Sequence, residues 1–414
     1  MKRAFGNPNL AKFLVSKINS TKQAVGDEYN IDSLLEVPFL TAIQELFEFN
    51  DQVPPTKSYG FVREATYRLL KLKRLKTKCL LKMLEAKEAT YLGLNSKSYF
   101  FWASISVIPP TEPIDLVFQK TKIRLGKKDG GLNDMLPTAS PIYETQVELE
   151  INARCEWSAV KIAINTITLV KGVANFLVNV KKPRNEITNL GIMTGKNTVN
   201  QIRMSHGVIL NARKERLLPT VSFPLQHGPP TEEMLRIDES LVQQIRERLN
   251  QLESVADCIR PPLIESLQRY DRALDNGNLN STLSGLWGSI EPICNSFSGE
   301  TMINRILKVF HSDETDYHRH VLNRCHDMRN SITHTNSRMG SPEQTVYDLM
   351  QYSERLIEFV FLNHSTFVTF TEFVSFLDSC KKKTETDLAK IQAKMDLLNQ
   401  PSLLPENQMR RLGG

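Results

Sequence analysis

A proline-rich stretch, LLPTVSFPLQHGPPTEE at 217–233, separates two parts of the chain with different hydrophobic periods. Beyond it, apolar residues recur at three- and four-residue steps with few strand signals. That spacing predicts helices near 233–256, 261–275, 280–297, 301–310, 314–334, 342–362 and 365–380, the first opened by Thr231 and two glutamates. Before it, alternating runs are interleaved with helical ones. The expected architecture is an α+β N-terminal domain of mixed helices and strands over 1–217, a linker at 218–232 and an all-α domain over 233–380. An amphipathic helix and a loose tail fill 381–414, with Leu388, Ile391, Met395 and Leu398 at heptad-like steps. A length of 414 residues suits two domains of ordinary size.

Within the first part, PFLTAIQELFEF (38–49) has helical spacing and is stopped by Pro54-Pro55. A second helix is expected from about 61 to 87, with Leu72, Leu75, Cys79 and Met83 on one face. Its other faces crowd Arg68, Lys71, Lys73, Arg74, Lys76 and Lys78 together. Those bases suit either a solvated face or contact with an RNA backbone. YFFWASISVI, IDLVFQKTKIRL and ETQVELEINARCEW read as strands, and IRMSHGVIL and PTVSFPL could add others.

Several function classes are excluded or disfavoured. There is no Walker loop and no GxGxxG, which argues against an ATPase or dehydrogenase. The six cysteines include no CxxC pair and read as scattered reduced thiols of a cytoplasmic protein. His311, Asp313, His318 and His320 lie close in sequence, but His318 and His320 are two apart and cannot chelate together on a helix, so no metal is expected. The basic N-terminus lacks the apolar core of a signal peptide. The apolar run from Ala159 carries Lys161 and Lys171 and reads as buried protein structure, so no membrane partner is expected. The formal net charge of +6 permits nucleic-acid binding without requiring it.

The densest chemistry lies in RCHDMRNSITHT, 324–335. On a helical wheel Val321, Cys325 and Met328 fall within about 40° of Ile332, with Leu322 at the edge, making a core stripe. Cys325 is then a buried thiol and not a nucleophile. His326, Asn330 and His334 step by four along the opposite face, flanked by Arg329. Such a face suits phosphodiester cleavage in RNA. Histidine titrates near neutrality and can move the protons. Arginine offers a rigid fork of donors to the phosphate. The same spacing also suits an ordinary solvated helix face.

The stretch RNSITH, Arg329–His334, resembles the signature of HEPN-domain ribonucleases. Upstream, PPLIESLQRYDRALDNGNLNSTLSGLWGSIEPICNSF (261–297) is similar to the paired helices of an ApeA-like HEPN domain, with Trp287 and Glu291 as its aromatic and acidic positions. The resemblance covers about 235–375. It implies a HEPN-like up-and-down bundle of four to five helices that forms a homodimer or higher homo-oligomer with a composite site. It also implies metal-independent RNA cleavage leaving 2′,3′-cyclic phosphate ends, no cofactor, and a role in bacterial antiphage defence or as a toxin. The RNA could be tRNA, and the trigger a phage product.

Under that resemblance Arg329 holds the scissile phosphate, His334 is the acid/base and Asn330 orients them, while Glu291 positions Arg329. His326, added from the wheel, is a supporting or substrate-contacting residue. His318 and Arg319 join the basic residues of 68–78 as candidates for RNA contact. The part over 1–217 would then sense or restrain. The competing expectation is a catalytically inactive bundle serving as a binding or assembly module.

Overall fold

In the computed structural model, residues 7–379 are described apart from 26–27, 32, 48, 73–74, 128–142, 182–198, 219–233, 311–314, 336–341 and 364. The proline-rich segment, PTVSFPL and the tail after 380 therefore lie outside the described residues, together with Lys73, Arg74, His311 and Asp313. The N-terminal region mixes helices and strands, and the C-terminal region is helical.

Helices α1 (Pro8–Thr21), α2 (Ser33–Leu46), α3 (Pro55–Lys71) and α4 (Thr77–Leu92) share a core built on Leu14, Ile18, Leu40, Ile43, Val62 and Leu80. Between α1 and α2 a short antiparallel pair, β1 (Lys22–Val25) and β2 (Glu28–Ile31), was not foreseen. The single helix expected over 61–87 is in fact two. Helix α3 closes at Leu72, whose backbone sits at φ −81°, ψ 4°. Leu75 is then buried while Leu72 is left 53% exposed, so the four-residue apolar face read from the sequence is broken by the turn.

A five-stranded sheet follows, in the order β5-β6-β7-β3-β8, from β3 (Lys97–Ile105), β5 (Ile114–Phe118), β6 (Thr121–Lys127), β7 (Thr145–Ala153) and β8 (Met204–Leu210). The run IDLVFQKTKIRL proves to be a hairpin, with Gln119 (φ 46°) and Lys120 (φ 67°) both left-handed at its two-residue turn. Such a primed turn matches the twist of the strands, although neither residue is the usual glycine or asparagine. The expected helix 233–256 begins later, because Leu235–Arg236 forms strand β9, paired in parallel with β4 (Val107–Ile108).

The apolar run from Ala159 lies in α5 (Glu156–Asn179). By length and composition α5 could cross a membrane, but 72% of its most apolar window is buried inside the protein. From there the chain continues, after β8 and β9, into α6 (Glu239–Ser254), α7 (Arg260–Leu274), α8 (Leu279–Cys294), α9 (Gly299–Val309), α10 (Thr315–Thr335), α11 (Pro342–Leu362) and α12 (Phe370–Asp378). Several of their starts are set by side chains that accept orphan N–H groups. Asp238 accepts from Leu241 N at 2.8 Å, Asn278 from Asn280 N at 3.0 Å, and Thr369 from Glu372 N at 3.0 Å. Helix α8 packs closely on α7: a Cβ on Gly285 would lie 2.8 Å from that of Ala273.

The chain forms two compact units that do not divide only at the proline-rich segment. One comprises 1–102, 149–164 and 208–221; the other comprises 103–148, 165–207 and 222–414. Much of the region expected to be a separate N-terminal domain thus belongs to the unit holding α6–α12. The physical reason is a polar junction inside that unit. Lys171 on α5 reaches Asp271 (2.7 Å) and Asp275 (2.6 Å), at the end of α7. Asn175 and Asn200 donate to Asp271 Oδ1 at 2.8 and 3.1 Å, and Asn175 Oδ1 accepts from Ile202 N at 3.0 Å. The segment entering β8 is thereby fastened to the helices.

Candidate functional site

Helix α10 carries the motif. Val321, Leu322, Cys325 and Met328 are buried, as the wheel requires; Ile332, at the edge of the packing, is half-buried. Burial pushes the Cys325 thiol up to about 12, with Asp348 adding to the shift, so it stays protonated and unreactive at neutral pH.

On the other face three polar side chains are joined. Arg329 donates from Nη1 to Asn330 Oδ1 at 3.1 Å. The Asn330 amide nitrogen lies 3.2 Å from His326 Nε2. Because Asn330 Oδ1 accepts from arginine, its NH2 is left to face the imidazole, whose Nε2 accepts. The second ring nitrogen, Nδ1, is 3.9 Å from Asp327 Oδ1. His326 is thus tied to Asn330, a role of orientation. Helix α10 runs on through Thr335, which sets His334 one turn beyond Asn330 on the helical path.

His326 is held from below as well. Its ring lies 5.1 Å from that of Trp287, itself 1% exposed on α8. Gly299, the first residue of α9, abuts it so closely that an added Cβ would fall 2.2 Å from His326 Nε2. Three helices therefore fix the imidazole that fixes Asn330. Gly299 was not among the residues read from the sequence. A glycine in a helix's first turn is a weak signal, and only the approach of α10 gives it meaning.

Two expected roles are corrected. Glu291 does not position Arg329. Its Oε2 accepts instead from Arg269 Nη1 at 3.1 Å, and that guanidinium also bonds Gly288 O at 2.9 Å and Glu265 at 2.6 Å. The pairing of α7 with α8 sets Arg269 within hydrogen-bond reach of Glu291. His318 is not a surface residue for RNA. It is 4% exposed, its Nδ1 lies 2.8 Å from the Tyr352 hydroxyl, and its ring packs on Phe310. Arg319 stays at the surface side of α10 and donates to Asn304 Oδ1 at 2.8 Å. Lys71, Lys76 and Lys78 are exposed at the ends of α3 and α4, in the other compact unit.

The arrangement can present a cationic fork and an amide fixed in orientation. No metal-ligating cluster of three or more side chains occurs among the described residues. In comparisons with known proteins, no family model, curated protein or solved structure matches the chain.

Proposed function

We propose that the chain is a metal-independent endoribonuclease of the HEPN type, working from the face of α10. The observation that carries this reading is the bonded series Arg329–Asn330–His326, held by Trp287 and Gly299. A merely solvated face does not need an imidazole wedged between two other helices to orient an amide.

In the proposed reaction the 2′-hydroxyl loses its proton to a base and its oxygen attacks phosphorus. The P–O5′ bond breaks and an acid protonates the leaving oxygen, giving a 2′,3′-cyclic phosphate and a free 5′-hydroxyl. His334 supplies the proton transfer and Arg329 binds the phosphate oxygens as charge builds. Asn330 keeps the guanidinium aimed. A second copy of the chain would contribute the partner arginine and histidine, so the working form is a homodimer.

The test is cleavage of total RNA and of tRNA, with EDTA present, by wild type, Arg329→Ala and His334→Ala. Activity that persists in EDTA, ends in cyclic phosphate and falls by ~10²–10³-fold in both variants is expected. Equal activity in all three proteins would remove α10 from the chemistry and leave the bundle as a binding module.

A further inference from the structure

Arg68 and Lys82, from the basic stretch that the reaction above does not call on, border a groove. Helices α3 and α4 and Cys155 enclose a cavity of about 750 Å³ within one compact unit. Its apolar lining includes Phe61, Leu69, Leu72, Met83, Tyr91 and Leu94. Leu72 and Leu94 are 53% and 49% exposed, an apolar rim that water wets at a cost. Lys57, Arg68, Lys82 and Lys87 also line it, and no carboxylate does.

Two of these cations are already matched, Lys57 by Glu156 at 3.2 Å and Lys87 by Glu64 at 2.7 Å. Arg68 and Lys82 are exposed and pair with no carboxylate among the described residues. They lie toward the turn between α3 and α4, where Lys71, Lys76 and Lys78 are exposed as well. Positive charge not matched by a carboxylate therefore collects at one end of the groove, while the cations toward the Tyr91 end, Lys57 and Lys87, are each matched. From Cys79 to Tyr91 along α4 is about 18 Å at 1.5 Å per residue.

We propose that this groove binds a single-headed aliphatic anion, a carboxylate or phosphate carried on a long alkyl chain. The head would sit between Arg68 and Lys82 and the chain would lie over Met83 and Phe61 toward Tyr91. Charge complementarity selects the head, and the length of the apolar lining selects the tail. A nucleobase is a poorer fit. Phe61 and Tyr91 meet edge to face at 6.0 Å, so they pack on each other and offer no slot between parallel faces. A polynucleotide is poorer still, because its phosphates would follow the groove into apolar lining. The proposal is independent of the reading of α10.

The experiment is titration calorimetry of the full chain with submicellar dodecanoate and, separately, dodecyl phosphate. Inorganic phosphate, anionic vesicles of phosphatidylglycerol and an oligoadenylate form the other arms. One saturable site per chain for either amphiphile is expected, with no heat from inorganic phosphate. The double variant R68E/K82E should bind at least ~10-fold more weakly. So should Ala86→Trp, which fills the groove wall from an exposed helix position; circular dichroism and thermal melting will show that both fold. Absence of saturable binding by both amphiphiles overturns the proposal. So does binding that both variants retain, or capture by vesicles or oligoadenylate in place of the free amphiphiles.

Discussion

Two polar clusters in the same compact unit are built from similar parts and have opposite character. One joins Lys171, Asp271, Asp275, Asn175 and Asn200. The other joins Arg329, Asn330 and His326. Both use asparagine amides to connect charged or titratable groups. In the first, Lys171 is 7% exposed and Asp271 is 0% exposed, and the ammonium is met by two carboxylates. In the second, all three side chains are half-buried, so the guanidinium is reachable from solvent. A charge enclosed by its own partners serves structure. A charge oriented by neighbours and still open toward solvent can serve a ligand.

The comparison is broken most severely at Lys171. Replacing it with methionine leaves the buried Asp271 without its cation, beside the half-buried Asp275, and stability should drop by about 3–5 kcal/mol. A shift in the urea midpoint at unchanged slope would measure this. Asn330→Ala should do the reverse. It leaves no buried charge behind, so stability should change by less than about 1 kcal/mol, while RNA cleavage falls by ~10²-fold as Arg329 and His326 lose their link. If Lys171→Met folds as well as wild type, or Asn330→Ala cleaves as well, the distinction between the clusters fails.

The enclosed cluster also predicts a pH dependence. Burial pushes Asp271 up to about 7 from its ordinary 3.8, opposed by Lys171 and reinforced by the neighbouring charge of Asp275. Between about pH 4 and pH 7 the folded state then holds a proton that the unfolded state has released. Stability contributed by this group must fall as pH rises through that window. Asp275→Asn removes the reinforcing charge and should flatten the fall. Its stability relative to wild type should be greater at pH 8 than at pH 5, by about 1 kcal/mol. Denaturant curves of both proteins at the two pH values would read the difference; an equal fall in both would show that Asp275 does not act on Asp271.

How far the sequence reveals each cluster follows from the separation of its members. Arg329, Asn330 and His326 lie within one turn and a half of a helix, so a wheel brings them together without knowledge of the fold. The periodicity of α7–α11 is legible for the same local reason. Lys171 and Asp275 are 104 positions apart, and from the sequence Lys171 was only an interruption in an apolar run. The turn between α3 and α4 was missed because an apolar face can be drawn through it when Leu72 and Leu75 are both counted as core. Glu291 was assigned to the wrong arginine because choosing between Arg269 and Arg329 requires knowing which helix packs nearer.

The smallest expected effect is also the sharpest test of the open cluster. Gly299→Ala puts a methyl group where the His326 ring now lies, 2.2 Å from Nε2. Helix α9 is anchored here by the Ser298 cap to Thr301 N (3.5 Å), so the ring and not the backbone should yield. Rotation of the ring breaks its bond to Asn330 while the core beneath stays intact. Stability should fall by about 1 kcal/mol, and cleavage by ~10-fold. His326→Ala removes the ring and with it the clash. In that background Gly299→Ala should cost nothing further in cleavage, a non-additivity that a merely structural glycine would not produce. Full additivity of the two losses would mean that Gly299 acts on α9 alone, and that His326 does not transmit its position to Asn330.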